Sequence, residues 1–103
     1  MPSLEQLEKL LAVEPDDVFL NFALAMELSK QGRTDEACRQ FRRVLDLDPR
    51  YPAAYFQWGK ALIAAHRHAE ARDVLAKGIE TAQSAGDRHA AAEMQELLEA
   101  IPG

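Results

Sequence analysis

Three groups of side chains in this sequence are of types that do chemistry, and their spacing limits each of them. His66, His68 and Glu70 are metal-ligand types close together. A spacing of two does not put two histidines on one helix face. Arg67 between them repels a cation, and a stable site needs three or four ligands. The group reads as a solvated turn, and no metal is expected. Cys38 has Arg39 and Arg42 beside it, which would lower a thiol pKa. No histidine is near it in sequence, and it adjoins a packing stripe, so it reads as a partly buried, inert thiol. Arg39, Arg42 and Arg43 make a small basic face, read as solvated and paired with nearby carboxylates. Nucleic-acid binding needs wider basic charge and stacking aromatics. His89 is expected to face solvent. The sequence has no G-x-x-x-x-G-K-S/T loop, G-x-S-x-G elbow or H-E-x-x-H helix. Its carboxylates stand at caps and outer faces. The expectation is a non-enzyme with no catalytic residue and no cofactor.

The chain bounds the remaining choices. At 103 residues it is sized for one domain, 1–103. With 48% apolar and 28% charged residues it should be globular. The net charge of −5 argues against nucleic acid or an anionic membrane as partner. One cysteine suits a reducing compartment. The first residues show no secretory pattern, and no apolar run is long enough to span a bilayer. A cytoplasmic location is expected.

Those side chains must be positioned by helices, because the apolar residues recur with helical spacing. Leu4, Leu7, Leu10 and Leu11 predict a helix over 3–13, with Ser3 as cap. Asp16 and Asp17 are cap candidates for a helix over 18–30. Thr34 is expected to cap a helix over 35–47 whose buried stripe is Ala37, Phe41, Val44 and Leu45. Further helices are expected over 53–65, 68–83 and 88–100, the last capped by Asp87. Pro15 and Pro49 stand 34 residues apart, and the intervening pattern recurs after Pro49. Leu24, Ala25 and Leu28 align with Trp58, Gly59 and Leu62. Ala37 and Phe41 align with Ala71 and Leu75. Gly59 is expected at a close helix contact, where Leu would overpack and Ala would be tolerated. Glu93 and Glu96 align with Gly59 and Leu62, so the last helix should be polar on its outer side, as a capping helix needs.

The motif Leu24-Ala25-x2-Leu28, Ala37-x3-Phe41, Pro49, and its second copy Trp58-Gly59-x2-Leu62, Ala71-x3-Leu75, resembles the tetratricopeptide repeat (TPR) family. Gln83 stands where the second proline would be. The resemblance implies an all-α fold of antiparallel helix–turn–helix repeats, stacked as a short right-handed α-solenoid of about six helices. Its parts would be a half repeat at 3–14, repeats at 18–51 and 52–85, and a capping helix at 87–101. It also implies a concave groove lined by the first helix of each repeat, used to bind peptides or proteins. Some members clamp a C-terminal carboxylate with lysines and asparagines on the groove helices. Here Phe22 and Met26 stand at the matching positions of the first repeat, and Lys60 is the central cation.

Both first helices carry an apolar face beyond the one needed for packing. Phe19, Phe22 and Met26 form it on one; Phe56, Ile63 and the stem of Lys60 form it on the other, with Met94 expected to close it. The expected function is a non-catalytic interaction module that binds an apolar or amphipathic segment of a protein partner there. The alternative is a structural one, in which these faces pair two copies into a homodimer.

Overall fold

The computed structural model describes residues 2–103, and among them the chain forms six α-helices and no strand. They are α1 (Leu4–Val13), α2 (Val18–Lys30), α3 (Thr34–Leu47), α4 (Pro52–Ala64), α5 (His68–Ser84) and α6 (Arg88–Glu99). The chain forms two compact units, the first ending at Pro49 and the second beginning at Arg50. In the first, α2 packs against both α1 and α3; in the second, α5 packs against α4 and α6, and α4 also meets α6.

Three helices start on a side chain that accepts an orphan N–H. Ser3 accepts from the Gln6 amide while the Gln6 side chain accepts from the Ser3 amide, a reciprocal capping box. Asp17 Oδ1 accepts from the Leu20 amide at 2.8 Å, and Asp87 Oδ1 from the Ala90 amide at 3.0 Å. Pro52 opens α4, where its missing N–H costs nothing.

Thr34 does not cap α3; it is the first helical residue, and the cap is Arg33. The turn before it explains this. The Arg33 amide donates back to the Leu28 carbonyl and so closes α2, while the Arg33 carbonyl accepts from Ala37 and so opens α3. The Arg33 guanidinium grips Glu36 in the first turn through Nε at 3.0 Å and Nη2 at 2.6 Å. That hydrogen bond holds the Glu36 carboxyl below its ordinary pKa. Arg67 and Glu70 repeat the arrangement at 2.9 and 2.8 Å in the second unit. The same turns need a left-handed residue. Gly32 supplies it at φ 76° in the first repeat, and His66 occupies the matching position at φ 60° in the second.

The first core is built on Leu7, Ala25, Leu28, Ala37, Phe41 and Val44. Asn21 is buried with them and fully used. Its Nδ2 donates to the Pro15 and Asp17 carbonyls, and its Oδ1 accepts from Gln40 Nε2, which ties α2 to its own leading turn and to α3. Cys38 is buried rather than partly buried. The second core holds Tyr55, Trp58, Leu62, Ala71, Leu75 and Met94. Two glycines leave no room for a side chain between packed helices. A Cβ on Gly59 would lie 2.5 Å from Leu75 Cδ2, and one on Gly78 would lie 2.6 Å from Tyr55 Cβ and Met94 Sδ.

The two repeats also differ at their ends. Where Pro49 follows the end of α3, Gln83 lets α5 run on to Ser84. By the repeat period α5 would end at Thr81 and α6 would begin at 86; α6 begins instead at Arg88. Its pattern is displaced accordingly. Met94 is fully buried, and Ala90, Ala91, Leu97 and Leu98 are half-buried. That matches Trp58, Ala54, Tyr55, Ala61 and Leu62 of α4 moved two residues beyond the strict period.

Candidate functional site

The displaced register decides which residues of α4 and α6 come together. The half-buried ring of Phe56 and the neighbouring Pro52 and Gln57 form one wall of an open recess of about 460 Å3; His89, Ala90 and Glu93 of α6 form the other. Ala90 is small, so space remains between the helices. His89 Nε2 lies 3.2 Å from Glu93 Oε1 along that wall. The Asp87 carboxylate at one end is occupied in capping α6. Lys60 is exposed and holds its Nζ 5.7 Å from the Phe56 ring centroid, a cation–π distance. Ile63, one turn further on, is half-buried.

Met94 corrects the sequence reading. It lines the recess only from beneath: it is fully buried, with its sulfur against Gly78. By the strict period it falls where Lys60 stands, an exposed position, but the run-on of α5 brings it inward. Glu93 is exposed, as a polar outer side requires. It also lines the recess beside Phe56.

In the first unit, Phe22 and Met26 are half-buried and Phe19 is 68% exposed. The Phe22 ring meets the Phe41 ring edge to face at 6.3 Å, so part of Phe22 belongs to the core. Phe19 is free of that contact and presents an apolar surface at the start of α2.

Sequence reasoning missed Pro52, Gln57, His89, Ala90 and Glu93. The signal was present: Gln83 in place of a proline, followed by a helix cap at Asp87. Together these announce a longer α5 and a late α6. The rings of His66 and His68 meet edge to face at 5.9 Å in a turn. Among the described residues no group of three His, Cys, Asp or Glu side chains is placed to hold a metal ion. No helix among them is long and apolar enough to cross a membrane. Arg39, Arg42 and Arg43 face outward, and Arg43 pairs with Asp16.

The tetratricopeptide repeat family model matches residues 28–101. A TPR repeat-containing protein of Pseudomonas aeruginosa is 36% identical over 95 residues, covering 92% of this chain and 90% of its own length. A Bordetella parapertussis protein of known solution structure is 33% identical and superposes with a TM-score of 0.84, covering 98% of this chain and 88% of that one. The TPR2B domain of yeast Sti1, in its complex with pHsp70, superposes with a TM-score of 0.83 over 93% of this chain and 77% of that one. At 21% identity the last is a likeness of fold: all-α, of the helical-repeat solenoid class.

Proposed function

Because this chain belongs to the tetratricopeptide repeat family, whose fold serves protein–protein interaction, we propose that it is a non-catalytic module that holds an apolar or amphipathic segment of a partner protein against α4. The observation that carries this reading is the recess beside Phe56, with the Lys60 ammonium poised over the same ring. An apolar side chain seated there leaves water at a gain of about 1.5–3 kcal/mol if fully buried. The ammonium beside it favours an acidic group or free carboxylate adjoining the anchor. Phe19, Phe22 and Met26 give the first unit an apolar strip of its own. That the yeast Sti1 domain was solved in complex with pHsp70 supports a peptide or protein as the class of partner. Phe22 and Met26 stand where clamp-type members carry polar groups, which favours apolar anchoring over carboxylate clamping here.

The exposure of Phe19 favours one second reading, in which two copies bury these faces against each other. Sedimentation of the purified chain separates the two, since only the second gives twice one chain's mass. For the first, a pull-down from the native host supplies the partner, and its segment is titrated into the labelled chain by NMR. Phe56→Ala should weaken binding by about tenfold or more, from the loss of one buried anchor, with helical content unchanged. Lys60→Glu should weaken it less and change its salt dependence. Shifts confined to Arg39, Arg42 and Arg43, with normal binding by Phe56→Ala, would overturn the reading.

A further inference from the structure

The α1 helix is the second helix of a hairpin whose first helix is absent from the described residues, and the chain's own repeats show what that face is built to meet. In repeat register, Ser3 corresponds to Ala37 and Ala71, and Leu10 to Val44 and Gly78. All four of those later residues are buried, Ala37, Val44 and Ala71 with no exposed surface. Ser3 is exposed, Leu10 is 47% exposed and Val13 is 82% exposed. The Gly78 neighbours explain the difference: one is Tyr55, on the helix that precedes α5 in its hairpin, and the other is Met94, on the helix that follows. The following helix of α1 is α2, which buries Leu7. No helix precedes α1 among the described residues, and an open recess of about 570 Å3 is lined by Pro2, Gln6, Lys9 and Leu10.

We propose that this face of α1 docks one amphipathic helix of another protein, of the kind that α2 is to α3. The polar residues define the partner further. Gln6 corresponds to Gln40, which donates to Asn21 of α2, and Lys9 corresponds to Arg43, which pairs with Asp16 just before α2. Lys9 itself lies 3.5 Å from the exposed Glu5 of its own helix. The helix that fits therefore carries an acidic residue before its first turn, a hydrogen-bonding residue within it, and a small residue one turn later. In α2 these are Asp16, Asn21 and Ala25. The last helix of a second copy of this chain does not fit that description. That α6, in the displaced register, has exposed Gln95 where α2 has Ala25 and α4 has Gly59.

The probe is a synthetic peptide of residues 15–31, added in trans to the labelled full chain and followed by NMR. Amide shifts should cluster on Ser3, Gln6, Leu10 and Val13. Leu10→Glu should weaken binding at least about tenfold, with helical content checked by circular dichroism, and Val13→Glu, at a position 82% exposed, should act in the same direction. A peptide carrying Ala25→Glu should not bind, and added salt should weaken the unmodified peptide through Lys9. The proposal is overturned by no binding, by unchanged affinity in both variants, or by shifts centred on α3, which would mean exchange with the chain's own α2. Shifts centred on the recess beside Phe56 would overturn it and leave the interaction module standing. Self-association of the chain abolished by Leu10→Glu would overturn it in favour of a second copy.

Discussion

A Cβ at Gly78 would stand 2.6 Å from Tyr55 Cβ and 2.9 Å from its Cγ, atoms anchored to the α4 backbone. At Gly59 the colliding atoms are the Leu75 methyls and Cγ, at 2.5–3.2 Å. A side-chain end can give way where a Cβ cannot, but Leu75 is fully buried and has little room to move. Alanine gains about 1 kcal/mol over glycine in a helix interior, against about 1–3 kcal/mol for overpacking. Gly78→Ala should therefore lose more stability than Gly59→Ala, and both should be less stable than the parent in urea unfolding followed by circular dichroism. This revises the expectation that alanine is tolerated at 59. The sequence marks the position as small; it does not show that the facing side chain is already closed in.

Helix boundaries were legible because each has a local cause: Ser3, Asp17 and Asp87 at starts, Gly32 at a stop, Pro52 at a first position. Where the cause is shared between two helices, reading one side chain at a time failed. Arg33 serves the end of α2 and the start of α3, so Thr34 became a first residue rather than a cap. The bounds expected for α5 and α6, 68–83 and 88–100, agree with the structure to within a residue, but aligning α6 by the strict period did not follow from them. Gln83 in place of a proline is visible in the sequence, but its effect falls on α6, whose residues sit two positions beyond the strict period. Gln83→Pro tests this. It restores the residue the repeat pattern asks for, but it now falls inside a helix, and it should cost about 3 kcal/mol through the lost hydrogen bond and ring clash. A neutral substitution in thermal unfolding would mean that α5 ends before 83.

Of the candidate site, Phe56, Lys60 and Ile63 could be read from α4 alone, because one helix's faces follow from its spacing. The opposite wall depends on how α6 enters, and that is a property of the assembled unit. Met94 shows what α6 does there: it covers Gly78 and closes the second core. Deleting residues 87–103 should therefore expose Tyr55, Leu75 and Gly78, lower the melting temperature and promote aggregation. An unchanged melting temperature in a monomeric truncated chain would remove α6 from that role. The packing of the described helices has a consequence in time as well. Within each unit a helix meets partners one or two elements away, so the loops to be closed are short and the search is fast. Every helix of the first unit precedes Pro49. During synthesis, at about 5–20 residues per second, α1, α2 and α3 can find one another while the ribosome is still adding α5, and Phe19 and Leu10 are on offer to a partner before the protein is finished.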